Sequence, residues 1–301
     1  MPGRAAPGPH PTSSPTDPTG LPRGPAGPRS RSPSVQFDLT DDLPFHEPDY
    51  SSWDVAQHGP VPRPDWVVTE LRAVDTDLGV LKTGKEADVH LVRRAVPDGR
   101  ECLLAAKRYR PAERRLFHRD AGYQEGRRTR RTRDTRALAK RTAYGRELAT
   151  AHWAIAEFAA LGELWSAGAP VPYPVQLHES ELMLEFVGEP DGTAAPRLAQ
   201  YRPDGAELAD LFAQCTDAMR LLARLGYAHG DLSAYNMLVH DGRLVLIDVP
   251  QIVDVVANPR GMEFLQRDCA NVTRWFTARG LQTPELDELF GDLVAEALSR
   301  W

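Results

Sequence analysis

Apolar residues recur at helical spacing in several stretches of the chain and alternate in shorter ones between them. Within 146–167, Trp153, Glu157, Leu161 and Leu164 fall on one stripe, which predicts a single helix with one inward face. Gly168, Pro170 and Pro172 close it. A second helix is expected at about 205–225, with Leu208, Leu211, Cys215, Ala218 and Leu222 inward and Gly226 as its stop. Met262, Leu265, Cys269, Val272 and Phe276 keep the same spacing in a third. Thr283-Pro284 is expected to cap a last helix carrying Leu289, Leu293 and Ala297. WVVTELRAV from Trp66 reads as a strand or an entry segment, and strand-like runs follow before the second helix: GVLKTGKEADVHLVRRA as two strands and a tight loop, ECLLAAKRY, YPVQLHES and ELMLEFVGEP.

One stretch, HGDLSAYNMLVHDGRLVLIDVPQ from His229 to Gln251, has a different pattern. Asp241-Gly242 lies between two apolar runs, a signal for a two-residue hairpin turn. Folded there, His240 faces Arg243, Val239 faces Leu244, Leu238 faces Val245 and Met237 faces Leu246. Asn236 and Asp248 then emerge at the same open end. An amide oxygen with a carboxylate is a hard donor pair that suits Mg²⁺ shared with a phosphate. Asp231, in the loop entering the hairpin, can bring a second carboxylate.

Composition narrows the setting. A chain of 301 residues with 42% hydrophobic content can build one two-lobed domain or two small ones. A formal net charge of −6 argues against a nucleic-acid binder as a whole. Cys102, Cys215 and Cys269 are far apart and form no metal-spacing motif, so a reducing, cytoplasmic setting is expected. No run is long enough to span a bilayer. Residues 1–34 are rich in Pro, Gly, Ser, Thr and Arg and are expected to be a disordered tail, with a proline-rich ligand as the functional alternative. Residues 35–65 are acidic and dotted with Phe37, Phe45, Tyr50 and Trp53, either a segment that docks on a basic surface or an irregular linker. The segment 110–146 is basic, with RRTRRTRDTR at 127–136.

The hairpin region also matches a known pattern. Protein kinases carry H-R-D-L-x-x-x-N followed by D-F-G. Here His229-Gly230-Asp231-Leu232 leads to Asn236, and Asp248-Val249-Pro250 follows. The variant HGDLSxYN with IDxPQ resembles the RIO family of atypical protein serine/threonine kinases. So do Thr83-Gly84-Lys85-Glu86-Ala87, close to the family's S-T-G-K-E-A phosphate loop, and WAxxEF around Glu157. EFLxxDCxN from Glu263 and Glu185-Phe186-Val187-Gly188 add to the likeness. Gly230 stands where ordinary kinases have Arg, Ser233 where they have Lys or Ala, and no A-P-E motif follows Asp248. Only Gly84 remains of the ordinary G-x-G-x-x-G loop, with Lys82 and Ala87 at the outer glycine positions. The likeness covers roughly 66–301.

The resemblance implies an α+β, bilobal kinase fold: a strand-rich N-lobe at 66–190, containing the basic loop 110–146, and a reduced helical C-lobe at 191–301. It implies phosphoryl transfer from ATP with Mg²⁺, for which Mn²⁺ can substitute, to Ser or Thr hydroxyls, to the chain itself, or to water in slow ATPase cycling. Asp231 would orient and deprotonate the acceptor, and Asn236 and Asp248 would hold the metal. In the family the residue matching Asp248 can itself accept phosphate. Lys107, oriented by Glu157, would hold the α/β-phosphates. Thr83, Gly84, Lys85 and Glu86 would form the phosphate loop, for which a plain hairpin turn is the alternative. The backbone of Glu185 and Val187 would meet the adenine edge. The basic loop is a solvated insertion, an RNA contact, or an acceptor site at Thr129, Thr132 or Thr135. Alternatives for the whole are a small-molecule phosphotransferase of the aminoglycoside-kinase type and an ATP-switched assembly factor of the small ribosomal subunit. No membrane partner is expected.

Overall fold

The computed structural model describes residues 50–97, 99–110, 143–249 and 252–299, with 143–150 as backbone alone. The chain divides into two units, Met1–His46 and Glu47–Trp301, and the first lies outside the described residues. So do residues 35–49, the basic segment from 111 to 142, and Pro250 and Gln251.

The N-lobe is an antiparallel sheet. It contains β1 (Gln57–His58), β2 (Val74–Thr83), β3 (Ala87–Ala95) and β4 (Glu101–Tyr109). Helix α1 (Ala143–Ser166) follows, then β5 (Pro174–His178) and β6 (Glu181–Glu185). The strands are ordered β1-β5-β6-β4-β3-β2. The C-lobe holds α2 (Gly205–Arg224), β7 (Tyr227–Ala228), β8 (Met237–His240), β9 (Arg243–Leu246), β10 (Val253–Asp254), α3 (Gly261–Thr277) and α4 (Leu286–Leu298). β8 pairs with β9 and β7 with β10.

Alternation along the strands makes two distinct faces. Cys102, Leu104 and Ala106 of β4 cluster with Val92, Val175 and Met183, beneath Trp53, Val67, Val68 and Ala73. Tyr109, Leu177 and Leu182 belong to a larger core with Leu161 and Leu164 of α1 and the inward residues of α2, α3 and α4. The second face therefore looks toward α1 and the C-lobe, and Lys107 leaves the sheet on that side.

Two expectations need correction. The N-lobe does not begin at 66: Trp53 is buried, and β1 adds to β5 at the sheet edge. His58 stacks on the Trp53 ring at 3.8 Å, and Arg63 lies 4.6 Å from its centre. Residues 50–65 are thus part of the lobe, because a buried indole and a paired edge outweigh the segment's polar composition. The last helix starts at Leu286 with Glu285 as N-cap, not at Thr283-Pro284. The Thr283 hydroxyl is engaged by Thr277 at 2.8 Å instead.

The first sheet face also holds a charge. Arg94 is fully buried, and its guanidinium donates to both Asp75 oxygens at 2.7 and 2.8 Å and to Gln176 Oε1 at 2.8 Å. Gln176 Nε2 donates to Ser52 Oγ at 2.8 Å. This chain of polar groups joins the segment before β1 to β2, β3 and β5, and it leaves the buried cation paired, as burial demands.

Candidate active site

Lys107 on β4 is the centre of the site. Its ammonium donates to Glu157 Oε1 and Oε2 at 2.7 and 2.8 Å and to Asp248 Oδ1 at 3.0 Å. The Glu157 side chain is 1% exposed. A carboxylate that deep is costly unless a cation meets it, and the helical stripe on α1 aims it at Lys107. Burial alone would lower Lys107, but Glu157 and Asp248 outweigh it and hold the ammonium above the ordinary lysine range. Burial pushes Glu157 upward; with both oxygens on one ammonium it is nonetheless the ionised partner. Burial also works against Asp248, yet Lys107 holds that carboxyl below the ordinary range.

The hairpin has the expected register, from Met237 opposite Leu246 to His240 opposite Arg243. Asp241 and Gly242 take φ of 50° and 70°, the left-handed pair that a tight hairpin turn requires. The Ile247 N–H donates to the Asn236 carbonyl at 2.9 Å, so the ladder continues to the residue before Asp248. Asp248 itself has φ of 65°. A non-glycine residue there stores strain of about 1–3 kcal/mol, held in place by the bond to Lys107.

The loop carrying Asp231 is clamped from α3. Asp268, 1% exposed, accepts from the Gly230 N–H at 2.7 Å and the Leu232 N–H at 2.8 Å, one on each side of Asp231. Asn271 Nδ2 donates to the Leu232 carbonyl at 3.1 Å, and Arg267 donates to the Gly230 carbonyl. His229 Nε2 bonds the Ile247 carbonyl at 3.2 Å, tying the loop to the end of β9. Burial pushes the Asp268 carboxyl up, against the pull of His229 and the two N–H groups. Asn236 Nδ2 donates to the Asp231 carbonyl at 2.9 Å. Its amide oxygen is left as the free end beside Asp248, whose side chain is 39% exposed. Two hard oxygen donors of this kind fit Mg²⁺. Glu189, His240 and Asp241 also lie within metal-binding distance of one another. That group sits at the turn end of the hairpin, away from Asn236 and Asp248.

The loop between β2 and β3 is tight. Gly84 N–H donates to the Ala87 carbonyl at 3.0 Å, and a Cβ at Gly84 would stand 2.8 Å from that oxygen. Only glycine tolerates the approach. The Thr83 hydroxyl is turned to the Asp88 carboxylate, which the Arg110 guanidinium holds below its usual range. Thr83 therefore braces the loop, and the Glu86 carbonyl accepts from Arg110 N–H at 2.9 Å. The Lys85 side chain is exposed. At the expected hinge, the Glu185 N–H already bonds the Tyr173 carbonyl at 2.9 Å, and its carboxylate accepts from Tyr173 N–H at 3.0 Å. The Val187 carbonyl accepts from Ala195 N–H at 3.0 Å.

The fold thus brings together Lys107, Glu157 and Asp248, and continues the hairpin ladder from Asn236 to Ile247, the residue before Asp248. The acceptor candidates Thr129, Thr132 and Thr135 lie outside the described residues. Asp268 entered the sequence reading only as the Asp of EFLxxDCxN, with no role assigned to it. Its signal was present: it interrupts the apolar stripe Leu265, Cys269, Val272, the same pattern that marks Glu157 on α1.

Comparison with known proteins agrees with this geometry. The RIO domain family matches residues 104–289. The RIO-type serine/threonine-protein kinase Rio1 of Haloferax volcanii is 41% identical over 128 residues, 42% of this chain and 43% of that protein. Human serine/threonine-protein kinase RIO1 is 32% identical over 232 residues, 73% of this chain and 36% of its own length. The chain therefore spans less than half of these relatives. In fold it is similar to the crystal structure of the Rio2 kinase–ADP/Mg²⁺–phosphoaspartate complex from Chaetomium thermophilum. That match has a TM-score of 0.50 at 22% identity, over 74% of this chain and 66% of the other. Among the described residues no helix is long and apolar enough to cross a membrane. With a lysine–glutamate pair joining strand to helix, an Asp-bearing loop clamped from α3 and a family match over most of its length, this chain belongs to the RIO domain family.

Proposed function

We propose that the chain binds ATP with Mg²⁺ and transfers the γ-phosphoryl group to Ser or Thr hydroxyls, its own included, with slow ATP hydrolysis as a second output. The observation that carries this reading is Lys107, bonded at once to Glu157 of α1 and to Asp248 of the C-lobe. Such a lysine is positioned to hold phosphate oxygens where the two lobes meet.

Asp231 accepts the proton of the acceptor hydroxyl as its oxygen attacks the γ-phosphorus and the bond to the bridging oxygen of ADP breaks. Asp268 keeps Asp231 aimed by holding the N–H groups on either side of it. Asn236 and Asp248 supply the oxygens for Mg²⁺, which when bound neutralises charge on the phosphates. Lys107 holds the α/β-phosphates, Gly84 and Lys85 close over them, and the Val187 N–H is available to adenine. Asp248, whose counterpart in the resembled family can accept phosphate, is the candidate for direct phosphorylation here, a reading supported by the phosphoaspartate in the Rio2 kinase structure of similar fold. Hydrolysis of that acyl phosphate would return free phosphate and complete an ATPase cycle. The three cysteines are free and buried, which is consistent with a reducing, cytoplasmic setting. Contact with RNA or a small ribosomal subunit through 110–146 is the finer reading of its partners.

Incubation with γ-labelled ATP tests the proposal. Label on the protein, or free phosphate released in a Mg²⁺-dependent way, is expected. Absence of both in the presence of bound ATP would overturn it.

A further inference from the structure

Lys82, near the end of β2, is used by no step above. It pairs with Val89, and Val89 pairs with Lys107. Residues directly opposite each other across antiparallel strands point to the same side. Lys82 and Lys107 therefore leave the same face of the sheet, the one turned toward Glu157 and Asp248. Their Cα atoms are two strand spacings apart, about 10 Å. The register of β2 shifts between Val80 and Lys82, the kind of bulge that re-aims side chains beside active sites.

The surroundings of Lys82 lack a carboxylate of its own. Lys82 is an exposed position of β2; the partial desolvation its ammonium does meet lowers it below the ordinary lysine range, and the charges it feels are Arg197, then Asp248, then Lys107. Asp248 is already bonded to Lys107. Arg197 is anchored through Nη1 to the Tyr235 carbonyl at 2.6 Å, an acceptor without formal charge. Among the described residues the Lys82 side chain makes no hydrogen bond or ion pair. Lys107 is matched by two carboxylates, whereas among the described residues neither Lys82 nor Arg197 has a carboxylate partner. Two cations held near each other without a counter-charge favour an anionic ligand, and a terminal phosphate accepts from both kinds of side chain. The position also sets this chain apart from the motifs it resembles. Lys82 stands at the leading Ser of S-T-G-K-E-A and at an outer glycine of the ordinary kinase loop.

We propose that Lys82, with Arg197 held beside the Asn236 loop as the second cation, binds the terminal phosphate of a nucleoside triphosphate and sets the preference for tri- over diphosphate. This rests on the nucleotide-binding reading above. It is tested by calorimetric titration of the full chain and of Lys82→Gln and Lys82→Arg with AMP-PNP, ADP and AMP, each with Mg²⁺. Lys82→Gln is expected to weaken AMP-PNP by about tenfold (about 1.4 kcal/mol) and ADP by about twofold at most. AMP binding and the nucleotide-free melting temperature should stay unchanged, and Lys82→Arg should recover AMP-PNP affinity. Equal loss of AMP-PNP and ADP, or an unchanged AMP-PNP affinity in Lys82→Gln, would overturn the role of Lys82 while leaving the phosphotransferase reading intact. If the unaltered chain binds none of the three nucleotides, both readings fall together.

Discussion

Asp231 and Asp248 do different work, and their variants separate it. Asp231→Asn keeps the shape of the side chain and removes the base, so ATP affinity should persist while phosphoryl transfer falls by roughly a hundredfold or more. Near-normal turnover in that variant would remove Asp231 from the mechanism. Asp248→Ala should weaken nucleotide binding only when Mg²⁺ is present; loss of equal size with and without metal would point to a folding defect. Asp248 also has a pH signature. Its carboxyl is held below the ordinary 3.8 by Lys107, against the opposing effect of burial. Its contribution to stability is therefore complete above 3.8 and is lost as pH falls through the lowered value. Asp248→Asn should flatten the melting-temperature curve in that acid window. Asp268 acts at one remove: Asp268→Asn should lower kcat with little change in KM, because it loosens the aim of Asp231 and touches no phosphate. A matching rise in KM would show that the whole site had shifted.

At the scale of elements, the buried Arg94 ties β2, β3, β5 and the segment before β1 together. Asp75→Ala would leave that guanidinium without its carboxylate inside the core, at a cost of about 3–5 kcal/mol. Chemical denaturation checks this, and a change below about 1 kcal/mol would mean the pair behaves like a surface ion pair. The network also shows what pattern reading could and could not reach. The hairpin register, the inward faces of α2 and α3 and the pairing of Lys107 with Glu157 were legible, because period and turn chemistry bear on them directly. Arg94 shares the alternating face of Val92 and Val96, so its burial had a local signal. Its partners, Asp75 and Gln176, lie on other strands, and their approach depends on a strand order that no local pattern encodes. The Asp268 clamp was hidden for the same reason: its acceptors' partners are backbone groups of a distant loop. The start of α4 missed because Thr283 found a hydroxyl partner on α3 in place of a helix N–H.

At the scale of the whole molecule, the question is where the N-lobe begins, and truncation answers it. Residues 1–34 hold almost no large apolar side chains, so by composition little stability is expected from them. Their removal should leave the melting temperature and ATP hydrolysis nearly unchanged. Residues 50–65 are another matter. They contribute the buried Trp53, the β1 edge pairing to β5 and the Ser52 hydroxyl that ends the Arg94 network. Tyr173, fully buried beneath them, donates its hydroxyl to the Pro60 carbonyl at 2.8 Å. Tyr173 also exchanges hydrogen bonds with Glu185 at the strand end that leads to Val187. Deleting 1–65 should therefore cost at least the about 3–5 kcal/mol of a buried aromatic ring lost from a core. It should also weaken nucleotide binding through Tyr173 and Glu185, although no deleted residue lies in the phosphate site. Melting temperature and AMP-PNP affinity, measured on both truncations, separate the two effects. If the longer deletion melts like the full chain, the segment before Trp66 is only an appendage. If it melts lower yet binds AMP-PNP as well as before, the path from Tyr173 to the hinge carries no influence on the site.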